Sequence, residues 1–116
     1  MRALLAALLL LAPLLAAGAA SAHAILVASQ PAAQSSVKAG PADIVLRYNS
    51  RIDQGRSRLT LRAASAETTL PLQPGSPADT LAAHAELRPG DYVVHWQVLA
   101  VDGHMTRGDV RFSVTP

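Results

Sequence analysis

Leu87-Arg88-Pro89-Gly90-Asp91-Tyr92-Val93-Val94-His95-Trp96-Gln97-Val98 is the stretch whose reading decides the fold. Pro89-Gly90 is a turn dipeptide. Beyond it, Tyr92, Val94, Trp96 and Val98 fall on one face of an alternating run, and His95 points the other way. A tyrosine at the start of a late strand, directly after such a turn, has the pattern of the tyrosine corner of Greek-key sandwiches. Its ring packs inward and its hydroxyl bonds to nearby backbone. Tyr92 is therefore read as structural and Trp96 as core.

The same alternation recurs on both sides. Ile44, Leu46 and Tyr48 share a face, as do Val110, Phe112 and Val114. Strands are expected over Ala24–Ser29, Asp43–Asn49, Ser57–Ala63, Thr68–Gln73, Thr80–Glu86, Tyr92–Val101 and Asp109–Thr115. Turn residues separate them at Ala39-Gly40-Pro41, Gln54-Gly55, Pro74-Gly75-Ser76-Pro77, Pro89-Gly90 and Asp102-Gly103. Seven short strands with regular turns predict an all-β, antiparallel, immunoglobulin-like Greek-key sandwich or barrel. No internal repeat and no low-complexity linker interrupts them.

The first 22 residues read differently. Arg2 precedes a run of Ala and Leu over residues 3–17, broken by Pro13, and small residues follow from Gly18 to Ala22. This is the order of a secretory leader. The run is short for a membrane span, which needs about 20 apolar residues, and no later stretch qualifies. Cutting after Ala22 would leave 94 of the 116 residues, one small domain over residues 23–116. A cut after Ala24 would start the chain at Ile25 and remove His23. Without Arg2, nine basic and eight acidic residues remain, interspersed along the chain. No basic patch marks a nucleic-acid partner. There is no cysteine, so neither disulfides nor a thiolate metal site is available.

His23 stands at the expected mature N-terminus. There it would offer two nitrogens, the free α-amine and the imidazole. The amine has a pKa near 8, so a metal can displace its proton at neutral pH. Amine and Nδ1 of one residue close a six-membered chelate ring. His104 adds a second imidazole, and Asp102, two residues earlier, a carboxylate. Tetragonal ligation by nitrogen and oxygen suits Cu(II), whereas Zn(II) prefers a tetrahedron. Asp102-Gly103 is also a plain hairpin dipeptide. His84 and His95 read as surface or hydrogen-bonded residues, and Met105 as a packed or exposed thioether.

The opening His23-Ala-Ile-Leu-Val-Ala-Ser-Gln-Pro-Ala32 resembles the start of the CopC family of periplasmic copper-resistance proteins. Gly90-Asp-Tyr-Val-Val-His-Trp-Gln-Val-Leu-Ala-Val-Asp-Gly-His104 is similar to that family's Gly-x-Tyr-x-Val-x-Trp-x-Val-x-Ser-x-Asp-Gly-His segment, and Gly108-Asp-Val-Arg-Phe-Ser-Val114 fits its close. The resemblance implies a periplasmic domain that is not an enzyme and binds one Cu(II) through His23, Asp102 and His104. It also implies a role in copper resistance or homeostasis, with an inner-membrane copper transport protein as recipient, and a monomer is expected. The chain departs from the family at Tyr48-Asn49-Ser50-Arg51, where Phe-Ser-Glu-Pro is common, and at Met105, where proline is usual. A soft Cu(I) site wants several sulfur ligands, and the mature chain has only Met105, so no separate Cu(I) site is expected.

Two other readings compete. A histidine brace also serves copper monooxygenases, but these need a broad substrate face, and all four aromatics here have credible core positions. A metal-free interaction module would share the fold.

Overall fold

Alternating runs of β-branched and small residues, punctuated by glycine and proline, build strands throughout the described residues 23–116 of the computed structural model. The expected leader, residues 1–22, lies outside them. Eight strands follow in order: β1 (Leu26–Gln30), β2 (Ser36–Lys38), β3 (Gly40–Tyr48), β4 (Ile52–Arg62), β5 (Glu67–Leu70), β6 (Thr80–Leu87), β7 (Gly90–Ala100) and β8 (Met105–Thr115). One sheet has the order β1-β3-β6, the other β2-β8-β7-β4-β5. The chain crosses between sheets from β3 to β4 and back from β5 to β6, so the expected two-sheet Greek-key sandwich is what forms. No helix of the described residues is long and apolar enough to cross a membrane.

The inner faces are those the alternation assigns. Ile44, Leu46 and Tyr48 of β3 meet Leu59, Leu61, Val94, Trp96, Val98, Val110 and Phe112 in one core. Trp96 packs edge-on to Tyr48, ring centroids 5.4 Å apart. Tyr92 forms the tyrosine corner. Its hydroxyl accepts the Arg88 N–H and donates to the Arg88 carbonyl, both at 3.0 Å.

Four expectations need correction. There are eight strands, because Ser36–Lys38 pairs with Ser113–Thr115. That pairing is parallel, so the sandwich is not purely antiparallel. Gln54-Gly55 does not separate strands but lies within β4, at a bulge where the pairing to β7 shifts between Asp53 and Arg58. There the Asp53 carboxylate accepts the Arg56 N–H at 3.2 Å, and the Ser57 hydroxyl donates to the Asp53 carbonyl at 2.6 Å. Local side-chain bonds of this kind imitate a turn while the strand runs on. The last strand also starts earlier than expected, at Met105, so that Leu99 pairs with Met105 and Val98 with Thr106.

Candidate metal centre

The centre begins with the turn between β7 and β8. Gly103 has φ 89°, a conformation that costs glycine little and other residues more. Its N–H donates to the Ala100 carbonyl at 3.0 Å, and the Ala100 N–H donates to the His104 carbonyl at 2.8 Å. The tight turn folds Asp102 back onto His104. Asp102 Oδ1 accepts the His104 backbone N–H at 3.0 Å, and Oδ2 lies 3.0 Å from His104 Nδ1. A carboxylate on one ring nitrogen fixes the imidazole and leaves Nε2 as the remaining donor, an arrangement common behind metal-binding histidines.

The N-terminal arm supplies the rest. Ala24 is buried, and its carbonyl accepts the Thr106 hydroxyl at 3.1 Å. The Ile25 N–H donates to Asn49 Oδ1 at 2.8 Å, and the Asn49 N–H donates to the Ile25 carbonyl at 2.9 Å. With Ala24 turned inward, alternation turns His23 and Ile25 outward. His23 Nε2 comes within 3.9 Å of Asp102 Oδ2, and its ring centroid is 4.4 Å from that of His104, edge-on at 67°. One ligand atom from each of His23, Asp102 and His104 lies within 4.8 Å of the others. Residues 79 and 81 positions apart in the chain are thus brought to one exposed point.

Electrostatics favour the ionised carboxylate. The His104 backbone N–H is the main cause that holds the Asp102 carboxyl below its usual range. Partial burial opposes this, and the His104 ring bond and the charges of His104 and His23 assist it.

The other histidines are engaged elsewhere. His95 lies on the outer face of the larger sheet with Nδ1 2.7 Å from Asp109, and exposed His84 pairs with Asp43 across β3 and β6. Met105 follows His104 and is 40% exposed. The Ser50 hydroxyl is buried without a hydrogen-bond partner among the described residues. A groove of about 460 Å³ lined by Arg62, Tyr92 and Arg111 lies at the opposite end of β7 and takes no part in the centre. Sequence reasoning missed the roles of Asn49 and Thr106, which hold the arm. Neither sits in a motif with the candidate ligands, and only the tertiary fold makes them neighbours.

Comparison with known proteins agrees with this architecture. Residues 26–115 match the CopC domain. Protein YobA of Escherichia coli K12 is 35% identical over 98 residues, covering 80% of this chain and 79% of that one. The crystal structure of CopC from Methylosinus trichosporium OB3b superposes with a TM-score of 0.70 at 29% identity, covering 81% of this chain and 95% of that one. PcoC of Escherichia coli, a methionine-rich copper resistance protein, superposes with a TM-score of 0.66 at 26% identity, covering 81% and 100%. The chain belongs to the CopC domain family.

Proposed function

We propose that this protein, once cut between Ala22 and His23, binds one Cu(II) in the periplasm through His23, Asp102 and His104. It holds the ion for copper homeostasis or delivers it to an inner-membrane copper transport protein. The observation that carries the reading is the convergence of exactly these three side chains from the two ends of the domain within 4.8 Å. Membership of a family whose solved relatives include a copper resistance protein supports it.

The donor set fits the ion. His23 would contribute its amine and Nδ1, His104 its Nε2, and Asp102 an oxygen. Three nitrogens and one oxygen favour tetragonal Cu(II), which also heads the divalent affinity series. Asp102 serves twice, because the same carboxylate that can reach the ion also orients His104. A carrier reading is favoured over an oxidising enzyme by the fate of the aromatics. Tyr48, Trp96 and Phe112 are buried and Tyr92 is partly buried, so none of them forms a stacking face beside the centre.

The test is electron paramagnetic resonance of the secreted, processed protein with one equivalent of Cu(II). A single tetragonal signal with about three coupled nitrogens is expected. It should be lost in His23→Ala and in His104→Ala. A heterogeneous or aqueous-like spectrum from the wild type would overturn the proposal. Affinity should also fall as pH drops through the titration of amine and imidazoles, since all must be deprotonated to bind.

A further inference from the structure

The large apolar side chains that stand exposed among the described residues are Ile25 at 59%, Val27 at 48%, Val101 at 65% and Met105 at 40%. All four belong to the two segments that carry the ligands. Ile25 is two residues after His23 and on the same outward side of the arm. Val101 immediately precedes Asp102, and Met105 immediately follows His104. Val27 lies further along β1, an edge strand of the smaller sheet. Consecutive Cα atoms are 3.8 Å apart, so three of these side chains are rooted one or two residues from a ligand. Scattered single apolar residues need no explanation, but a cluster rimming polar groups marks a surface meant to be covered.

The ligands at the middle of the rim say what covers it. Exchange of the ion requires the incoming ligand to reach bonding distance, which brings the recipient's surface against these side chains. Cu(II) balanced by one carboxylate leaves the middle of the rim positive. The complementary surface is therefore apolar, with a neutral or negatively charged metal ligand at its centre. We propose that Ile25, Val101 and Met105, with Val27 at the margin, form the docking rim for a metal-exchanging protein partner of that kind. The inference rests on the copper-carrier reading of the same centre.

The test uses two synthetic peptides of equal length, one alternating valine with histidine and the other serine with histidine. They offer identical ligands and differ only in apolar character. The copper-loaded wild type should transfer Cu(II) to the valine peptide about tenfold faster than to the serine peptide, as burial of a few methylenes permits. Ile25→Ser/Val101→Ser should abolish that preference and keep the wild-type resonance spectrum. Equal rates to the two peptides, or a double variant that retains the preference, would overturn the proposal. Docking is also read without metal: the valine peptide should shift the amide resonances of residues 25, 27, 101 and 105 in the metal-free protein. That readout separates failure of the rim from failure of the copper reading. A dimer in sedimentation equilibrium that dissolves in the double variant would give the rim to a second copy and sink the partner assignment.

Discussion

Asp102 is the residue on which the centre turns. It accepts one hydrogen bond from the His104 backbone and contacts the His104 ring. A carboxyl whose folded-state pKa is lowered contributes stability above the ordinary carboxylate range. That contribution is lost as pH falls through the lowered value. The turn is thus held at neutral pH and loosens only in acid. In the metal-free protein, carboxyl NMR titration of His104→Ala should show the Asp102 pKa raised only part of the way to its ordinary value. The backbone N–H, its largest cause, survives that substitution, whereas the ring bond and the ring charge do not. His23→Ala should raise it less, because only a weaker charge interaction is removed. An unchanged pKa in His104→Ala would show that the ring does not act on the carboxylate. At this scale the candidate ligands are legible, since a histidine directly after an expected leader and an Asp-Gly-His turn each announce themselves. Asn49 and Thr106 were not, because a side chain that clamps a distant backbone has no local signature.

The central pair of strands, β7 and β8, carries the turn and fixes its geometry. Trp96 faces Gly108 across them, and the fit depends on the missing side chain. A Cβ at Gly108 would lie 2.4 Å from Trp96 Cζ2 and 2.6 Å from Cε2. The indole is confined by the core, including Tyr48 at 5.4 Å, so it cannot swing aside freely. Gly108→Ala should destabilise the fold by about 1–3 kcal/mol, the usual cost of overpacking. A lowered Tm and altered tryptophan fluorescence would report it, and a Tm equal to the wild type would mean the indole relocates without cost. The strong alternation of these two strands made them legible, as did the tyrosine corner. The three residues of β2 were too few to carry a period. In β4, Gln54-Gly55 has the look of a turn because bulge and turn use the same residue types.

At the scale of the whole molecule, the centre ties the two sheets together. The arm that carries His23 leads into β1 of the smaller sheet, and Asp102 and His104 lie in the turn between β7 and β8 of the larger one. Protein bonds already span that gap, from Thr106 to Ala24, but a metal held by both sides would add a cross-link between the chain's distant ends. The chain has no cysteine with which to make one covalently. Any ligand that binds only the native state stabilises it by mass action, by about 2.7 kcal/mol at a free concentration of 100 Kd. For a domain of this size each kcal/mol moves Tm by about 4–8 °C. Saturating Cu(II) should therefore raise the Tm of the processed protein by roughly 10 °C or more, and the gain should shrink as the amine and imidazoles protonate. His104→Ala should unfold near the metal-free wild-type temperature with or without Cu(II), because its ring is exposed and little packing is lost with it. A wild type whose Tm ignores copper would mean that the two sides of the sandwich do not share the ion. A His104→Ala variant that gains as much as the wild type would place the stabilising ion elsewhere on the molecule.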